Sequence, residues 1–205
     1  MKDSPRNKGD VYRMKNNTYK VFSSLALHVL LLAPICAQSL SVDAAKSNIR
    51  WEAGKVIGDP HYGSLQLAKG EITLEDNKIA SGDFAIDMTT ITNEDLGGEY
   101  GDKLVGHLNS DDFFSVAKFP QARLVLLSST SFKKGKATVQ AELTIKGHSE
   151  SIEFVVEKKG NAFDATLNVD RSKFDVRYGS PSFFNDLGDG AIKDVFALAV
   201  HLEIQ

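Results

Sequence analysis

Val139-Gln140-Ala141-Glu142-Leu143-Thr144-Ile145-Lys146-Gly147-His148-Ser149-Glu150-Ser151-Ile152-Glu153-Phe154-Val155-Val156 is the stretch that decides the fold. Across residues 139–145 apolar and polar side chains alternate, so Val139, Ala141, Leu143 and Ile145 share one face of a strand. A turn at Gly147-His148 follows, and the alternation resumes through Ile152, Phe154 and Val156. Two alternating runs joined by a glycine-containing turn predict a β-hairpin.

Outward from this hairpin the same period of two recurs. It is carried by Ile49 and Trp51, and by Leu65 and Leu67 running past Gly70 to Ile72 and Leu74. Phe84, Ile86 and Met88 repeat it, as do Phe163, Ala165, Leu167 and Val169, and finally Phe196, Leu198, Val200 and Leu202. About eight strands result, separated by turn chemistry at Asp76-Asn77, Lys134-Gly135 and Gly160-Asn161. No long helical segment could serve as a parallel crossover, so the sheet is antiparallel. Its one apolar face has little helix to cover it, which leaves a two-sheet sandwich or closure into a barrel. Closure also removes the strand edges, and eight strands enclose room for one ligand. The expectation is all-β, with two irregular insertions. Residues 92–120 carry short helices over 101–108 and 110–114, and residues 171–190 are rich in Gly, Ser and Phe.

The first 37 residues differ from the rest. Lys15 and Lys20 precede a nearly unbroken apolar or small run over residues 21–32, and Ala37 after Pro34-Ile35-Cys36 suits a cleavage site. Residues 1–37 read as a signal peptide, its apolar run too short to span a bilayer. The mature domain is then residues 38–205, in the periplasm or outside the cell and without a transmembrane span. Translation from Met1 and from Met14 both remain open. Cys36 is the single cysteine, and the preceding Ala33-Pro34-Ile35 matches a lipid-attachment signal poorly. With cleavage after Ala37 no cysteine remains for disulfide or thiol chemistry. Residues 38–205 carry 18 Lys and Arg against 25 Asp and Glu, a net charge of about −7, which disfavours nucleic acid and anionic membrane surfaces.

Signatures of catalysis and of cofactor or metal binding are missing from the sequence. It holds no G-x-S-x-G elbow, no H-E-x-x-H and no phosphate loop. His61, His107, His148 and His201 fall in turns, helix or outward strand positions. His107, Asp102, Asp111 and Asp112 lack the spacing of a metal site, and Asn185, Asp189 and Gly190 lack a closing acid for a calcium loop, with Leu187 where a ligand would stand. The remaining candidate is apolar. The inward residues Ile49, Trp51, Leu65, Leu67, Phe84, Ile86, Met88, Ala141, Leu143, Phe154, Phe163, Ala165, Leu167, Phe196 and Leu198 either pack a core or line a tunnel. Leu104 and Leu108 share a helical face beside Val105, followed by Phe113 and Phe114 after a cap at Ser110, and this segment reads as a plug or a headgroup contact. Phe183 and Phe184 in the late loop either cap the tunnel or pack on each other.

In chain order, several motifs carry a family resemblance. They are Val42-Asp43, Ser47-Asn48-Ile49-Arg50-Trp51, residues 58–63 with His61, and Phe84-Ala85-Ile86-Asp87-Met88-Thr89-Thr90-Ile91. Then come Lys103-Leu104-Val105-Gly106-His107-Leu108-Asn109-Ser110-Asp111-Asp112-Phe113-Phe114, Phe119-Pro120, Glu142-Leu143-Thr144-Ile145-Lys146-Gly147 and Val169-Asp170-Arg171-Ser172-Lys173-Phe174-Asp175-Val176-Arg177-Tyr178-Gly179. From about Ser39 onward the chain resembles the YceI-like family of exported polyisoprenoid-binding proteins. The resemblance implies an extended, lipocalin-like antiparallel β-barrel whose apolar tunnel takes an isoprenoid chain. A non-enzymatic carrier of a polyprenyl compound or isoprenoid quinone is expected, with a lipid as its partner and a homodimer left open. A periplasmic stress-related protein acting through a protein partner is the alternative, and a lipid-modifying enzyme a third.

Overall fold

The computed structural model describes residues 37–205, so the leader, Cys36 and both candidate starts lie outside the described residues. Nine strands form one sheet: β1 (Gln38–Ser41), β2 (Asn48–Ala53), β3 (His61–Glu75), β4 (Lys78–Asp87), β5 (Gln121–Ser129), β6 (Lys136–Ile145), β7 (His148–Lys159), β8 (Ala162–Asp170) and β9 (Val195–Glu203). Each of β2 to β9 pairs antiparallel with its sequence neighbour, and β9 pairs back onto β2, so eight strands close a barrel. β1 supplements the ring. It pairs with β3 from Gln38↔Leu74 to Ser41↔Glu71, beyond the segment of β3 that pairs with β2, and Val42 bridges to Ile204 after β9. β1 and β2 are thus one strand position broken by a turn at residues 43–47. There Asp43 Oδ1 accepts the Ala45 N–H, and Ser47 Oγ donates to Asp43 O at 2.8 Å.

The opening hairpin is β6 and β7, in register from Lys136↔Glu157 to Ile145↔His148. Its turn residues are Lys146 and Gly147, at φ 52° and 78°, the left-handed pair that matches strand twist, and His148 already belongs to β7 rather than to the turn. Along β6 the alternation becomes alternate burial, with Val139 fully buried and Ala141 1% exposed. Two strands fall outside the alternating pattern of the sequence. β1 is four residues of mostly polar sequence, and β5 has Ala122, Leu124 and Leu126 inward but a bulge between Leu126 and Ser128 that breaks the period.

Tight turns at residues 76–77, 130–135 and 160–161 close one end of the barrel, the turn end. The three long connections, residues 54–60, 88–120 and 171–194, all leave from the other, the covered end. One helix, α1 (Gly98–Asn109), lies in the second of these and begins three residues earlier than the spacing predicts. Residues 110–114, expected as a short helix, are instead a compact turn. Ser110 ends α1 with its hydroxyl donating back to His107 O at 2.7 Å, and Ser115 takes φ 50° with its amide on Ser110 O. Once Ser110 is spent as a C-terminal cap it cannot start a second helix. Short 3-10 turns at Met88–Thr90, Arg171–Phe174 and Gly188–Gly190 complete the covered end. Among the described residues no helix is long and apolar enough to cross a membrane.

Candidate functional site

The inward faces of the strands do not fill the barrel. A narrow cavity of about 140 Å³ remains, and its wall runs from Leu202, Ile72 and Phe163 toward the turn end to Leu108, Phe113 and Phe114 at the covered end. A compact cavity of about this volume holds a benzene ring. Spread along the length of the strands, the same volume is a slender channel.

Most of the expected residues meet at this wall. Ile49 and Trp51 come from β2, Leu65 and Leu67 from β3, Phe84 and Ile86 from β4, and Met88 from the turn after β4. Leu143 comes from β6, Phe154 from β7, Phe163, Ala165 and Leu167 from β8, and Phe196 and Leu198 from β9. Leu108 and Phe113 reach it from the cover. Four expected residues stand elsewhere. Ala141 points inward but is sealed in packed core away from the cavity. Leu104 packs half-buried against the core without reaching the cavity. Phe183 and Phe184 stand on the outer surface at 40% and 49% exposure, Phe183 beneath the Arg177 guanidinium at 5.0 Å and Phe184 beside a separate shallow depression. Sequence reasoning did not single out Ile72, Ile79, Ile91, Ala122, Leu124, Leu126, Ile145, Val156, Val200 or Leu202 as wall residues. All but Ile79, Ile91 and the β5 residues lie in runs whose inward parity was already legible, and Ile79 turns inward only because a bulge between β3 and β4 shifts its register.

Two devices hold the wall in shape. Trp51 faces Gly63 across β2 and β3, and its indole N–H donates to Thr92 O at 3.0 Å. A Cβ on Gly63 would sit 2.0 Å from that oxygen, so only glycine lets the segment after β4 cross so close to β3. This bond satisfies the polar edge of Trp51 and leaves its ring to the cavity. The second device is Arg171, 2% exposed, between the cavity wall and the cover. Its Nε donates to Lys193 O, Nη1 to Val176 O and Tyr178 O, and Nη2 to Ile192 O, with Asp194 Oδ1 at 3.5 Å. Burial pushes this guanidinium's pKa down, opposed by Asp194 and Asp170. Four of its five N–H donors are committed to the backbone, and Nη2 also faces Asp194, so it ties the late connection together.

Among the described residues, Asp164, Arg171 and Lys193 are the charged ones bordering the cavity, and no serine or histidine does so. Of the histidines, His61 donates from Nδ1 to Asp95 at 2.7 Å and His201 from Nδ1 to Asp164 at 2.7 Å, both outside the cavity. His107 lies edge-on to Phe113 and Tyr178 in the cover. Asp111 is engaged by Ser115 and Lys118, and no cluster suited to a metal ion forms among the described residues.

Residues 40–204 match the YceI-like domain. The chain belongs to the YceI-like family. Among solved structures, it is similar to BcnA of Burkholderia cenocepacia at 26% identity and a TM-score of 0.63, covering 78% of this chain and 98% of that one. A polyisoprenoid-binding domain from Saccharophagus degradans implicated in plant cell wall breakdown shares the fold at 14% identity and a TM-score of 0.55, covering 83% of this chain and all of that one. No curated protein matches the sequence. As a YceI-like domain, the chain is an antiparallel eight-stranded barrel with an apolar interior.

Proposed function

We propose that this YceI-like protein is exported and carries a slender apolar lipid, an isoprenoid such as a polyprenyl compound or isoprenoid quinone, inside its barrel. The carrying observation is the channel: narrow, extended along the strands, and walled almost wholly by aliphatic and aromatic side chains. Such a space suits a hydrocarbon chain and excludes a broad or polar ligand. Each five-carbon unit drawn in contributes about 4 kcal/mol gross, at about 0.8 kcal/mol per buried carbon group, before ordering costs. Affinity then needs no charged contact, which fits a net charge that repels anionic surfaces. The polyisoprenoid-binding domain sharing this fold supports the ligand class. Support for export comes from the leader and from β1, which begins at Gln38, one residue past the expected cleavage site.

Trp51, the single tryptophan, lines the channel and reports on its contents. Titrating delipidated protein with ubiquinone should quench Trp51 emission saturably at one ligand per chain. Emission unchanged until the quinone itself aggregates would refute the reading.

A further inference from the structure

The barrel wall is not uniformly laced. β6 and β7 are paired along the whole of β6, and β8 and β9 along the whole of β8. β7 and β8, by contrast, share only the rungs from Val156↔Ala165 to Lys159↔Ala162, at the turn end. From Val155 back to His148, and from Thr166 on to Asp170, no rung joins the two strands among the described residues. The Arg171–Phe174 turn packs against β7 at the far end of this parting. The result is a slit in the side of the barrel, bounded by the Val156–Ala165 rung below and that turn above.

The channel reaches this slit. Phe154 on one lip and Ala165 and Leu167 on the other all line it. Asp164 borders the channel as well, although its side chain points outward to His201 and Lys159. Ala165 is inward by register yet only half-buried, and Val155, just past the last rung on the outer face, is an apolar side chain 51% exposed. The barrel ends offer less. The turn end is packed with Ile72, Ile79 and Val139, each at most 1% exposed, and the late part of the cover is tied by the committed donors of Arg171.

We infer that the β7–β8 slit is the portal through which the apolar chain passes between the outside and the channel. This rests on the lipid-carrying reading and assigns it a route. A chain crossing there breaks no ladder hydrogen bond, whereas parting any fully laced pair would strand several backbone donors and acceptors. The small side chain of Ala165 leaves clearance at the point where channel and slit meet. A headgroup left outside would lie beside the carboxylates of Asp164 and Glu157, so the portal suits a neutral hydroxyl or quinone rather than a diphosphate.

The test bridges the lips on their outer side, away from the channel. In the full chain with Cys36→Ser, Val155→Cys and Thr166→Cys are joined as a disulfide or, for a wider gap, by a bis-maleimide, and loading is followed with solanesol in phosphatidylcholine vesicles. The reduced variant should load as the parent does. The bridged protein should fail to load, and protein bridged after loading should fail to release. Loading at the same rate with the lips bridged would overturn the portal and send the chain through the covered end. Failure of parent and reduced variant alike to load would instead overturn the carrying function beneath it.

Discussion

Ala141 and Ala165 show what a single residue's surroundings decide. Both interrupt runs of large inward side chains, and alternation alone makes them equivalent. In the barrel they are not: Ala141 faces packed core, and Ala165 faces the channel. Replacing Ala141 with Trp should overpack the core and cost about 1–3 kcal/mol, read as a lower denaturation midpoint. Ala165→Trp should melt close to the parent and hold no lipid, because the ring occupies space a ligand would fill. Equal melting of the two variants would contradict this assignment. The sequence supplies the parity of each position, and the register of neighbouring strands supplies whether space lies opposite it. Trp51 makes the same point, since its inward parity is legible but its bond to Thr92 depends on a segment about forty residues away in sequence.

At the scale of elements, the connections at the covered end are held by discrete polar ties. Asp95 fixes the segment between β4 and α1, accepting from His61 Nδ1, the Tyr62 amide and Asn93 Nδ2. Burial works against its ionisation, but these donors outweigh it and hold the carboxyl at about 2, below its ordinary 3.8. A depressed carboxylate stabilises the fold above its unfolded value, so this contribution should be intact above about pH 4 and fade as pH falls toward 2, by an amount of order 2 kcal/mol. Asp95→Asn should flatten the stability profile across that window in acid titrations followed by circular dichroism. Arg171 is the matching tie in the late connection. Arg171→Met strands the carbonyls of Val176, Tyr178, Ile192 and Lys193 and should cost about 3 kcal/mol or more in urea unfolding, with Arg171→Lys a poor rescue because an ammonium lacks the planar fork. None of this was legible beforehand. Hairpins announce themselves through local alternation and turn residues, which is why β6 and β7 could be placed to within three residues and their turn to within one. Residues 110–114, β1 and the bulged β5 are set by caps and by pairing with distant strands, and their local patterns carry little of that.

For the whole molecule, one apolar face with too little helix to cover it leaves a sandwich or a closed barrel, and the pairing of β9 with β2 decides for the barrel. The slit between β7 and β8 did not follow from periodicity, because β8 alternates cleanly along its length and β7 does so through Ile152, Phe154 and Val156, and nothing local says where two strands part. Processing belongs to this scale as well. N-terminal sequencing of protein recovered from the native envelope should begin near Gln38, and intact protein beginning at Met1 would remove the case for export.

The central claim is that the barrel is occupied by a slender apolar lipid, and direct analysis of its contents tests it. Protein purified from its native envelope without detergent exchange, extracted into organic solvent and examined by mass spectrometry, should yield one isoprenoid-type lipid per chain, absent from Ala165→Trp prepared in parallel. An extract with no lipid in stoichiometric amount, from protein that is folded and unliganded, would contradict the account.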